Sequence, residues 1–100
     1  MATGTTARRG IDALANVLRI IGMAIVAVLV IFIVLTLLNA NPQNDLAQLV
    51  GDLADTFSLG LRDLFQPEEP KLAVVLNFGT AALIWFAITT VVVRLVRRIG

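Results

Sequence analysis

The sequence contains neither cysteine nor histidine. That excludes disulfides, thiolate and imidazole metal ligands, thiol nucleophiles and a histidine acid or base together. Charge is also scarce, at 15% of residues against roughly a quarter in ordinary soluble domains, and none of it falls within residues 20–38 or 72–93. A proton-translocating ring subunit needs an ionisable group near the bilayer centre, and neither stretch supplies one. There is no Gly-rich phosphate loop, no metal-ligand constellation and no nucleophile beside a base. The expectation is therefore a protein that is not an enzyme, with no catalytic, cofactor-binding or metal-binding residues and no cofactor. The arginines are few, flank the apolar stretches and are not interleaved with aromatics, so nucleic acid is not an expected partner.

What is there is apolar: 58% of the chain, concentrated in two runs. Residues 20–38 form nineteen uncharged positions, which as a helix reach about 28 Å, close to the roughly 30 Å hydrocarbon core of a bilayer. Residues 72–93 are twenty-two more, enough to return with some tilt. The remainder, in three short pieces, is too little to build an independent soluble core. The expected fold is an all-α membrane protein, a two-helix transmembrane hairpin with an amphipathic helix in the extracytoplasmic loop. A single membrane domain then covers residues 1–100: cytoplasmic tail and helix start at 1–19, first span at 20–38, loop at 39–71, second span at 72–93 and cytoplasmic tail at 94–100.

Near the N-terminus, Arg8 and Arg9 are followed by Gly10, Ile11 and Asp12, which does not fit a twin-arginine export signal. Leu38-Asn39-Ala40 loosely resembles a cleavage site, but Leu is large for its first position and nineteen residues exceed the usual 7 to 15 of a signal h-region, so the first span is expected to be retained. Ile11, Leu14, Ala15 and Leu18 recur at helical spacing while Asp12, Asn16 and Arg19 point elsewhere. The first helix should thus begin before the membrane, with snorkelling arginines.

Asn39-Ala40-Asn41-Pro42 should end the first span and start a loop helix, with Asn as N-cap and Pro42 at its first position. Over about 42–65, Leu46, Leu49, Val50, Leu53, Phe57, Leu61 and Leu64 share an arc of about 120°, with Asp45, Gln48, Asp52, Asp55, Ser58, Arg62 and Asp63 outside it. Gly51 and Gly60 weaken this helix, and a bend near Gly60 is expected. Pro67 to Pro70 stops it, and Pro70 with Glu68 and Glu69 before it suits the positive start of the next helix. The leucine stripe is the expected loop-helix contact. Helices that lie on anionic lipid usually present a basic face, whereas this one is acidic, so a protein partner is expected there.

In the second span, Ala73, Asn77, Thr80, Ala81, Ile84, Ala87 and Ile88 share one side, while Phe78, Trp85 and Phe86 take the other. Small and polar residues let helices approach closely in lipid, so Ala73, Asn77, Thr80, Ala81 and Ala87 are the expected helix–helix contact, with the Asn77 amide bonding across it. Orientation follows from charge. Arg8, Arg9, Arg19, Arg94, Arg97 and Arg98 flank the outer ends of the two spans, whereas the loop holds only Arg62 and Lys71 beside six acids. Basic flanks stay cytoplasmic, so both termini should lie inside and the loop outside a plasma (inner) membrane. Seven Arg to one Lys, with abundant Ala and Val, suggests a GC-rich, bacterial coding sequence.

This plan is similar to that of some phage holins and of large-conductance mechanosensitive channels, without their sequence motifs. The expected partners are the lipid bilayer and other copies of the chain, larger membrane-protein subunits, or both. The expected role is association, as a homo-oligomeric scaffold or an accessory subunit of a membrane complex; the alternative is an oligomeric channel or holin-like pore. For a pore, the first span offers only Thr36, and Asn77, Thr80, Thr89 and Thr90 do not form one stripe.

Overall fold

A computed structural model describes residues 2–41 and 43–99, and among them it contains three helices and no strand. α1 spans Ala2–Leu37, α2 Asp45–Thr56 and α3 Pro70–Ile99. Two of these, α1 and α3, are long and apolar enough to cross a membrane.

α1 runs without a break because nothing before residue 42 forbids it: there is no proline in that stretch. Among its buried and half-buried positions, Ile11, Ala15, Leu18, Gly22, Ile25, Leu29 and Phe32 are spaced alternately four and three apart, the seam of a helix that packs along its length on a partner. That partner is α3, running the opposite way. Gly22 lies against Thr89, the Phe32 and Phe78 rings sit 4.8 Å apart, and the Arg97 guanidinium donates to Asn16 Oδ1 at 3.1 Å. The termini of the described chain therefore share one end of the molecule. A side chain at position 22 would collide with Thr89, so glycine there sets how closely the two helices approach.

α1 ends in a Schellman turn. Asn39 takes a left-handed conformation at φ 56°, its N–H reaches the Thr36 carbonyl, and the Ala40 N–H reaches Leu35; Asn is the usual substitute for Gly at this position. Asn39 thus closes α1 rather than capping the loop helix. The N-cap of α2 is Asn44, whose Oδ1 accepts from the Leu46 and Ala47 N–H groups. Asn41 makes a separate small turn by accepting from the Gln43 N–H, and Pro42 lies outside the described residues.

α2 is also shorter than the expected 42–65, ending at Thr56. Ser58 bonds the Asp55 carbonyl through its hydroxyl, and Leu59 (φ 59°) and Gly60 (φ 74°) then turn the backbone left-handed. For glycine that conformation is free, whereas for Leu59 it costs about 1–2 kcal/mol. Two such residues in succession cannot continue a right-handed helix. Residues 61–69 return as turns, and Pro70 opens α3 with Glu69 Oε1 accepting the Lys71 N–H. This junction is the one expected from Pro70 and its two preceding acids.

The core is the place where the three elements meet: Leu29 from α1, Ala54 from α2, and Phe78, Ala81 and Ala82 from α3. α2 does not sit on top of the α1–α3 pair. It lies beside it, antiparallel to α1, with Gly51 against Phe32 and Ala54 among the side chains around Leu29.

Candidate functional site

The apolar runs of α1 and α3 coincide in height. With Gly22 opposite Thr89 and Phe32 opposite Phe78, residues 20–38 and 72–93 form one apolar band about 28 Å deep. Leu29 lies half-way through it. α2, about 18 Å long, starts near the loop edge of this band and descends beside it, so its last turn reaches the middle. There the Trp85 indole N–H donates to the Phe57 carbonyl at 2.8 Å and the two rings meet edge-on at 5.8 Å. Phe57 is the C-cap of α2, so Trp85 satisfies one of the carbonyls that any helix end leaves unpaired.

The returning segment of turns is pinned by Asn77. Its Nδ2 donates to the Arg62 and Phe65 carbonyls at 2.7 and 2.9 Å, and its Oδ1 accepts the Phe65 N–H at 2.7 Å. The side chain is 2% exposed. The amide expected to bond across a helix interface is instead occupied with the backbone of its own loop, because that irregular segment has backbone groups to satisfy.

α2 therefore has three faces. Val50 and Ala54 are buried, with Gly51 and Phe57 half-buried, against α1 and α3. Leu46, Leu49 and Leu53, next to that face, stay 65%, 56% and 37% exposed. Of the other expected contact residues, Leu61 is half-buried and Leu64 exposed. The charged face carries Asp52 and Asp55, both exposed, and Asp55 pairs with Arg62 at 3.6 Å. Together with Asp63 they border a cleft of about 550 Å³ whose other wall is apolar, from Phe32, Val74 and Phe78. Charged groups are thus held beside the apolar band.

On α3 the face against α1 and α2 is made by Asn77, Phe78, Ala81, Ala82, Trp85 and Thr89. Of the expected helix contact, Asn77 and Ala81 lie on it; Ala73 and Thr80 are half-buried at its edge, and Ala87 is exposed. Phe78 and Trp85, expected on the opposite side, turn inward, while Phe86 remains outside. The physical reason is α2: a third element beside the pair leaves a space that aromatic side chains fill. The hydroxyls of Thr36, Thr80 and Thr90 each donate to a carbonyl four residues earlier in their own helix, and Thr89 is buried against Gly22.

The six arginines at 8, 9, 19, 94, 97 and 98 fall at the end of the molecule opposite the loop, since α1 and α3 are antiparallel. Arg8 lies 3.8 Å from Asp12 and Arg97 bonds Asn16. Two signals could have found the descent of α2: the left-handed Gly60 position, and an Asn and a Trp on α3 that both need polar partners.

No protein family, curated protein or solved structure matches the chain.

Proposed function

We propose that this chain is a small, non-catalytic integral membrane protein that acts by association, as a homo-oligomeric scaffold or as an accessory subunit of a larger membrane complex. α1 and α3 form a transmembrane hairpin, with the arginine-rich end cytoplasmic and residues 39–71 opening on the extracytoplasmic side of the plasma membrane. The observation that carries the association reading is the position of Asp52, Asp55 and Arg62 beside the apolar band rather than above it. A charged residue at the centre of a span costs about 2.5–3.5 kcal/mol on insertion scales, and lipid cannot satisfy irregular backbone at that depth. Packing α2 toward neighbouring copies removes it from lipid, and the exposed Leu46, Leu49 and Leu53 offer those copies an apolar contact.

The same charged face favours one second reading, an oligomeric channel in which α2 lies innermost. Its lining would come from α2 and the 61–66 turns, where the exposed charged residues lie.

Native mass spectrometry after gentle solubilisation tests the main reading. The expected result is a discrete multimer that Leu49→Asp dissociates, while single copies in mild detergent would sink it. Ion flux from liposomes holding the purified multimer separates scaffold from channel. Orientation is read by labelling introduced cysteines with an impermeant reagent in intact cells, with Glu68→Cys labelled and Ala7→Cys protected.

A further inference from the structure

In a chain read as membrane-spanning, the segment between Asn44 and Gln66 has an unusual requirement. α2 ends half-way through the apolar band, where the Trp85 indole holds its final carbonyl. The chain then climbs back through turns, with two left-handed residues and hydrogen bonds supplied in part by a side chain, Asn77. Backbone of this kind is tolerated at membrane depth only where protein buries it or water reaches it. Here protein buries one side alone. Asp52, Asp55, Arg62 and Asp63 are all exposed, and the Asp55–Arg62 pair keeps 46% and 58% of its side-chain surface open. Beside them lies the cleft of about 550 Å³.

We infer that α2 is a re-entrant helix whose charged face lines a water-filled vestibule, open on the loop side and floored by the Phe57–Trp85 contact. The inference rests on the membrane-spanning reading above and deepens it: copies of the assembly close the vestibule from lipid, and water replaces the protein contacts that the charged face lacks. The floor is apolar and packed, with Leu29, Ala54, Phe78 and Ala81 around it. Beyond it α1 and α3 touch directly at Gly22 and Thr89. Water therefore enters about half the depth of the band and stops.

The chain has no cysteine, so each introduced thiol reports one position. Asp52→Cys and Thr56→Cys lie on the exposed polar side of α2, and Thr56→Cys leaves every charge in place. Leu83→Cys lies at a similar depth on the outer side of α3, where Leu83 is 72% exposed. The probe is an impermeant, thiolate-selective reagent added from outside to intact cells or to oriented proteoliposomes of the assembled protein. Asp52→Cys and Thr56→Cys are expected to react within about tenfold of the rate of Glu68→Cys in the outer loop, and Leu83→Cys at least about a hundredfold more slowly, because a thiol in hydrocarbon forms no thiolate. Protection of Asp52→Cys, Thr56→Cys and Leu83→Cys alike, with Glu68→Cys labelled, would overturn the vestibule and leave the membrane spans standing. Labelling of Leu83→Cys would overturn the membrane reading itself.

Discussion

The two halves of the α1–α3 pair are joined by different chemistry. In the half nearer the termini, two helices meet with nothing between them: Ala15 and Gly22 on one side, Thr89 and Val93 on the other, all buried. In the half nearer the loop, α1 and α3 meet at the Phe32 and Phe78 rings, and α2 with its following turns lies beside them, tied to α3 by Trp85 and Asn77. In water both halves would be held by apolar burial. In lipid that drive is absent between helices, because hydrocarbon is as apolar as leucine. On the membrane-spanning reading, the first half depends within the apolar band on close fit, with the Arg97–Asn16 bond beyond it, and in the second α3 satisfies polar groups of the neighbouring segment that lipid cannot satisfy.

The largest expected effect comes from spoiling the fit. Gly22→Val puts three carbons where Thr89 already sits and should separate the helices at a cost of about 3 kcal/mol, the upper end of usual overpacking penalties. Disulfide trapping between cysteines at Ala15 and Val96 checks this: the bond should form readily in the parent and poorly in the variant. If Gly22→Val traps as well as the parent, the close approach is not what joins that half.

Asn77→Leu attacks the other half and leaves the first intact. It removes three hydrogen bonds to the 62–65 turn, and should cost about 2 kcal/mol, within the range for stranding buried polar groups. Hydrogen exchange at the Phe65 amide should rise by about thirtyfold, that cost expressed as a rate, with the Ala15–Val96 trapping unchanged. Equal loosening of both halves would mean that they form one cooperative unit.

These two variants also mark what was legible in the sequence and what was not. The lengths of the apolar runs, the start of α3 at Pro70 and the end of α1 near Asn39 follow from composition and turn chemistry. The position of α2 does not. Helical periodicity finds an apolar arc, but it does not say which part of that arc is covered; Val50 and Ala54 are buried while Leu46 and Leu49, larger and more conspicuous, stay outside. On α3 the pattern offered a small-residue face and an aromatic face, and in lipid the small face is the usual contact. Here aromatics take part because a third helix changes the shape of the gap. Asn77 was recognisable as a residue in need of a partner, but that the partner lies twelve residues earlier in its own loop depends on the reversal at Leu59 and Gly60.

The smallest effect isolates one bond. Trp85→Phe keeps a ring in place but removes the indole N–H that meets the Phe57 carbonyl, and should cost about 1 kcal/mol. A melt of the purified protein in mild detergent should show a small downward shift, with the helix content of the folded state preserved by circular dichroism. A loss as large as that of Gly22→Val would place the floor of α2, rather than the helix pair, at the centre of stability.

That same bond sets an order of events during synthesis. Phe57 and Trp85 are 28 residues apart, and at roughly 5–20 residues per second the ribosome needs about 1 to 6 seconds to make the second after the first. Throughout that interval α2 exists without its anchor, its acids facing water. It can take its place only once most of α3 has been made, so on the membrane-spanning reading the part of the molecule that descends furthest beside the spans is the last to settle there.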